Sequence, residues 1–277
     1  MPQFKRPAPA RVGSHGARQP WEVYAPAVTG TASRSRAQAW HHAVHAAVCD
    51  VIEPWAHGTV VRATRWPSYY DFNVVRVEED PGMSVEALIA VADEALAGLS
   101  HRRVDVEDPK VGEALREGFE AAGWLTDRLV WMRHEGELPP HPDIPVEPVD
   151  YEAVHDMRVA WHYEDFPNLD PSDYLAQARE VAPLLGAKVL AVREGGAPVA
   201  FAKLERIGHS AEIAAVYVSP AHRGRGLGAA VTRAAIHAAG KVDDLWIVAD
   251  DEGRPKQLYG RLGFRPEYTV VELLRLP

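Results

Sequence analysis

Val216-Tyr217-Val218-Ser219-Pro220-Ala221-His222-Arg223-Gly224-Arg225-Gly226-Leu227-Gly228 decides the fold, because it reads as a strand, a glycine-rich turn and the start of a helix. Glycine tolerates positive φ and lets backbone approach a ligand closely. Free N–H groups at a helix N-terminus, with the helix dipole, favour an anion. Arg223 and Arg225 add positive charge. No Gly-Lys-Ser/Thr follows, so the turn is not a nucleotide P-loop. The strands before it read as hairpins, which also argues against a dinucleotide fold.

Working outward, the second half opens with a predicted helix over Tyr151–His162. The Asp170-Pro171 pair is an N-cap with proline at the first helical position, opening a helix to about Leu185. Strands are expected at Lys188–Arg193, Val199–Arg206 and Glu212–Val218. After the glycine turn come a helix to Ala239, a strand at Leu245–Ala249, a helix over Lys256–Leu262 and a strand at Thr269–Leu274. This is an α/β (α+β) pattern with a mixed, mostly antiparallel sheet.

The first half predicts an amphipathic helix over 37–52 that Pro54 ends. Strands follow at Thr59–Ala63, Phe72–Val77, Arg103–Val106 and Leu129–Met132, with helices at Val85–Leu99 and Val111–Ala122. Four prolines between Pro139 and Pro145 mark an interdomain linker. The division expected is a flexible basic tail (1–36), a first domain (37–137), a linker (138–148) and a catalytic domain (149–277). The halves repeat each other. Phe119 to Gly123-Trp124 echoes Tyr259 to Gly263-Phe264, and Val104–Asp108 echoes Trp246–Asp250 at an offset that sets Gly82 opposite Gly224.

The net charge of −9 argues against nucleic acid as main partner. It is unevenly spread: residues 1–36 carry six basic side chains and one acidic, which leaves −14 for the remainder. An acidic body either serves solubility alone or attracts cationic substrates such as amines. One cysteine, Cys49, allows no intrachain disulfide, no apolar run reaches a membrane span, and no secretory signal opens the sequence. The expectation is a cytoplasmic protein, monomer or homodimer, with no membrane association and no metal. His41 and His45 have i, i+4 spacing but no third ligand, and are expected to face solvent.

Arg223-x-x-Gly226-x-Gly228 resembles the Arg/Gln-x-x-Gly-x-Gly/Ala signature of the GNAT superfamily of acyl-CoA N-acyltransferases. Leu258-Tyr259-Gly260-Arg261-Leu262-Gly263-Phe264 is similar to that family's second hallmark. The resemblance implies a fold duplicated in tandem and an N-acetyltransferase that uses acetyl-CoA as cosubstrate and acts on a small amine. The alternatives are a non-catalytic acyl-CoA sensor and a protein N-terminal or lysine acetyltransferase. It further implies that Arg223, Gly224, Arg225, Gly226, Leu227 and Gly228 hold the pyrophosphate, and that Val216, Tyr217 and Val218 hold the pantetheine arm. Tyr259 would serve the leaving thiolate, the alternative being a packing aromatic. Glu212 stands where some members carry a catalytic glutamate, with a water relay or an ordinary strand glutamate as the other readings. Glu164 and Asp165, in the loop after the first helix, would meet the amine, the alternative being a solvated loop. Glu252 replaces a common asparagine seven residues before the tyrosine. In the first half, Glu78-Glu79-Asp80-Pro81-Gly82 would repel a pyrophosphate and Phe119 has no proton to give, so that half is expected to be a degenerate copy.

Overall fold

The computed structural model describes residues 35–277, which belong to one compact unit. Most of the segment expected as a tail therefore lies outside the described residues. Arg36 does not belong to it: that residue opens the first helix, α1 (Arg36–Val48), and pairs with Asp244 at 2.8 Å. Ser35 and Gln38 close a capping box at its start. The first half continues with β1 (Val51–Trp55), β2 (Gly58–Arg62), β3 (Asn73–Val77), α2 (Val85–Ala95), β4 (Arg102–Val106), α3 (Pro109–Ala121) and β5 (Leu125–His134). The second comprises β6 (Glu147–Val149), α4 (His155–Asp165), α5 (Ser172–Val181), β7 (Lys188–Glu194), β8 (Ala197–Ile207), β9 (Ser210–Val218), α6 (Leu227–Ala239), β10 (Asp244–Asp250), α7 (Arg254–Arg261) and β11 (Phe264–Arg275).

Three expectations shift. α5 runs from Ser172 to Val181 with Pro171, not Asp170, at its N-cap position, and Asp170 instead accepts from Ser172. The first helix ends at Val48, and Pro54 lies inside β1, paired with Thr59. β1 is an edge strand, where a missing N–H costs no ladder bond. His41 and His45 are buried, against the expectation that they face solvent. They pack under Trp131 and Phe72, and burial lowers both pKa values well below the usual histidine range.

All eleven strands share one mixed sheet, in the order β1-β2-β3-β4-β11-β5-β10-β9-β8-β7-β6. Among the described residues only β3·β4 and β10·β9 are parallel. Each parallel pair is bridged by a helix, α2 in the first half and α6 in the second. The predicted repeat thus appears as a repeated element order, and Gly82 and Gly224 occupy matching turns with φ of 57° and 76°.

The final strand of each half lies in the other half's territory. β11 pairs with β4, and β5 pairs with β10. The cores follow this exchange. Val271 and Leu273 of β11 are fully buried among Val75, Leu88, Val104 and Phe119 of the first half. Val130 and Met132 of β5 sit among Ile213, Val231 and Ile247 of the second. Each such side chain contributes roughly 1.5–3 kcal/mol of burial. Gly112 lets α3 lie directly on β11, because a Cβ there would come within 2.5 Å of Val271 Cβ.

Candidate active site

The parallel ladder between β9 and β10 stops early. Ser210–Ile213 pair with Asp244–Ile247, and the pairing ends there. Beyond it the strands splay, because β10 continues along β5 while β9 continues along β8. A register shift between Lys203 and Leu204 leaves Ala214 unmatched in β9. Such a bulge bends its strand and raises the local twist. The edge Ala214–Val218 therefore presents unpaired backbone groups toward the gap. The first half has no such gap. Its ladder runs to Val77↔Val106 and is extended by Glu107 N–H donating to Val77 O at 2.9 Å.

The open edge leads into the glycine turn. Gly224 and Gly226 take φ of 76° and 78°, and Gly226 is the N-cap of α6. A side chain in that region costs roughly 1–2 kcal/mol. Both arginines of the turn are held by carboxylates. Arg223 Nη2 is 2.5 Å from Glu164 Oε2, and its Nε donates to Val218 O. Arg225 forms a two-point contact with Glu194. The Tyr217 hydroxyl donates to Glu164 Oε1 at 2.5 Å. Glu164 thus joins the turn to the end of α4, and of the two carboxylates expected at the amine, this one is engaged elsewhere.

At Gly228 three elements converge: an added Cβ would be 3.6 Å from Leu258 of α7 and 3.7 Å from Val218 of β9. Tyr259 follows on α7, 6 % exposed, in the core beneath α6 and β10. Its hydroxyl makes no hydrogen bond among the described residues, and burial pushes its pKa up to about 12. Glu252 is drawn away to Arg116 of α3, at 3.4 Å.

Glu212 lies in the paired part of β9, 8 % exposed, and accepts from Trp40 Nε1 of α1 at 2.8 Å. Burial, then Glu205, raises its pKa to about 7. A carboxyl raised in the fold loses its proton first when unfolded, so stability falls as pH climbs from the unfolded value toward 7. The Glu212→Gln variant is expected to remove this slope. It should gain about 3 kcal/mol over the parent at pH 8, at roughly 1.4 kcal/mol per pKa unit, and almost nothing at pH 4. Urea titrations at the two pH values check this.

Beside the splay is an open cavity of about 290 Å³, walled by both halves. Ala214 and Ala215 border it from β9, Asp165 and Trp161 from α4, Tyr69, Tyr70 and Asp71 from the segment before β3, and Asp127 from β5. Trp161 stacks on Tyr217, centroids 5.4 Å apart. Glu212 does not border the cavity. Arg103 reaches its wall and holds Asp71, Asp105 and Glu272 at 2.6, 2.9 and 2.5 Å.

Residues 151–264 match the acetyltransferase (GNAT) family model. That segment carries a GNAT acetyltransferase domain. No curated protein matches the chain in sequence. Among solved structures, a conserved protein of unknown function from Staphylococcus epidermidis aligns with a TM-score of 0.65 at 16 % identity, over 82 % of this chain and 94 % of its own. A protein from Novosphingobium aromaticivorans, provisionally named an acetyltransferase of the GNAT family, aligns with a TM-score of 0.52 at 19 % identity, over 86 % and 96 %. These likenesses show a shared fold, and they extend beyond the GNAT domain into the first half.

In the GNAT domain the sequence-predicted residues 216–218 and 223–228 lie on one continuous path, with Tyr259 one residue from the contact at Gly228. The sequence missed the residues the first half lends to the cavity, chiefly Asp127. Tyr69 and Tyr70 line the cavity and pack against Tyr174 of the second half. Asp127 stands in an alternating strand, where nothing in the sequence distinguishes it from a solvent-facing carboxylate. No described helix is long and apolar enough to cross a membrane.

Proposed function

We propose that the protein transfers an acyl group from acetyl-CoA to a primary amine of a small molecule, by direct attack in a ternary complex. The observation that carries this reading is the unpaired edge Ala214–Val218 running into the glycine turn. The two amides of a pantetheine arm can add to that edge as a further strand would, at Val216, Tyr217 and Val218. The pyrophosphate fits the N-terminus of α6 at Gly224–Gly228. Arg223 and Arg225 would exchange their carboxylate partners for phosphate oxygens. The first half, with its ladder closed and its turn acidic, shapes the acceptor side and takes no cofactor. The division at 37–137, 138–148 and 149–277 is then one of ancestry, since the strands themselves are exchanged.

In the reaction the amine nitrogen attacks the thioester carbonyl carbon. The C–N bond forms as the C–S bond breaks, the sulfur leaves as thiolate, and the second proton that the nitrogen sheds on becoming an amide ends on that sulfur. The acceptor must first lose its ammonium proton; we assign the base to Glu212, which does not border the cavity and so would act through a relay of water, its buried carboxyl being raised to about 7. Tyr259 serves the thiolate. A phenol at about 12 does not surrender its proton to a group near 8.5, so it acts by hydrogen bonding.

Steady-state thiol release with acetyl-CoA and a panel of amines tests the reading. Amine-dependent release is expected. The Gly226→Val variant should raise KM for acetyl-CoA about tenfold or more, as the 1–2 kcal/mol of left-handed strain predicts. An intact protein that binds acetyl-CoA yet releases thiol with no amine would favour a binding protein instead.

A further inference from the structure

Two carboxylates in the cavity, Asp127 and Asp165, form no ion pair among the described residues; Arg103 and Arg116 act on Asp127, and His162 on Asp165, only at longer range, and Asp127 raises the Asp165 carboxyl. One comes from each half. The other carboxylates on the wall, Asp71 and Glu272, both contact a cation, Arg103. The same cavity leaves further polar groups unsatisfied. Tyr69 is 5 % exposed and its hydroxyl makes no hydrogen bond among the described residues. His162 is 7 % exposed, and its Nε2 is enclosed without a partner.

The opposite end of the cavity carries the opposite charge. Arg158 lines it, stacked over the Tyr151 ring at 4.6 Å and with no carboxylate partner among the described residues. Lys203, near enough to Arg158 to repel it, is already paired with Glu205 at 2.7 Å. The local balance there is one positive charge. Arg158 and Asp165 lie seven residues apart on α4, so their backbones are about 10 Å apart along the helix. The Asp165 end is the cofactor end, because the adjacent Glu164 contacts Tyr217 and Arg223. Between the poles stand Trp161, Tyr69, Tyr174 and Phe201.

We infer that the acceptor is an extended zwitterion: its primary ammonium sits between Asp127 and Asp165 at the cofactor end, and a carboxylate at its far end meets Arg158. The aromatic walls suit an apolar or ring-bearing middle. A planar guanidinium already stacked on a ring is well disposed to a two-point carboxylate contact. This rests on the acyltransferase reading and names its substrate class.

The test compares 4-(aminomethyl)benzoate and 6-aminohexanoate with benzylamine, hexylamine and 1,6-diaminohexane, using the full-length protein. The two amino acids should exceed the neutral amines in kcat/KM at least tenfold. In the Arg158→Met variant that preference should collapse to about one while the neutral amines change less than threefold. In Asp127→Asn, KM for every amine should rise about tenfold with KM for acetyl-CoA unchanged. Equal or better use of hexylamine or the diamine by the parent overturns the inference, as does an Arg158→Met loss shared by all amines. Calorimetric titration with acetyl-CoA, on the same samples, separates the two readings. No binding sinks the acyltransferase assignment, whereas binding without zwitterion preference sinks only this inference. If acetyl-CoA binds but turnover is absent, amine titrations in the presence of CoA read the same preferences as ratios of Kd.

Discussion

Arg103→Met is expected to destabilise the protein by about 3–5 kcal/mol, the usual result of removing one partner from a buried ionic cluster. Arg103 is buried on β4 and holds Asp71, Asp105 and Glu272 at once. Asp105 and Glu272 are direct neighbours across β4 and β11, and Asp127 continues the row on β5. Like charges placed opposite one another destabilise a sheet, so the guanidinium is what makes the row tolerable. Burial already raises the carboxyls of Asp105 and Glu272, with Arg103 pulling them down. Without it they rise further. The fold then loses stability as pH climbs, so the deficit should be larger at pH 8 than at pH 5. Denaturant midpoints at both values measure this, and an equal deficit at the two would show that lost packing, not charge, is the cause.

The Tyr259→Phe variant is expected to lower kcat about 10²–10³-fold with KM for acetyl-CoA nearly unchanged, the usual scale for one lost donor to a developing anion. Phenylalanine keeps the ring in its core position beneath α6, so the fold should survive. Because the phenol stays protonated to about 12, the parent's rate should show no descending limb from this residue below pH 10. Rapid-quench or steady-state thiol release across pH 6–10 checks both statements. An unchanged kcat would return Tyr259 to a packing role.

Much of the fold was legible because its signals are local. The strand–turn–helix around Arg223 is written in glycines that now carry positive φ, whereas the cap read at Asp170 lies one residue later, with Pro171 preceding α5. The repeat was legible for the same reason. What escaped was non-local. No sequence pattern shows that β11 enters the first half, since Val271 and Leu273 read equally well as the inner face of either half's sheet. Pro54 was misread because a proline that ends a helix and one on an edge strand look alike until the edge is known. His41 and His45 were misread because burial depends on Trp131 and Phe72, far along the chain. In the candidate site the cofactor path was legible. The acceptor walls were not, being assembled from Tyr69, Asp127 and Asp165 across the two halves.

The strand exchange has a consequence for biosynthesis. β11 lies between β4 and β5 yet is translated after every other strand. Until it emerges, β4 has an open edge, Leu88 and Phe119 lack their cover, and β5 has one partner in place of two. The first half therefore waits on the ribosome as an incomplete body. Contacts this distant in sequence close slowly, which makes the nascent chain a candidate for chaperone capture before its last strand is released.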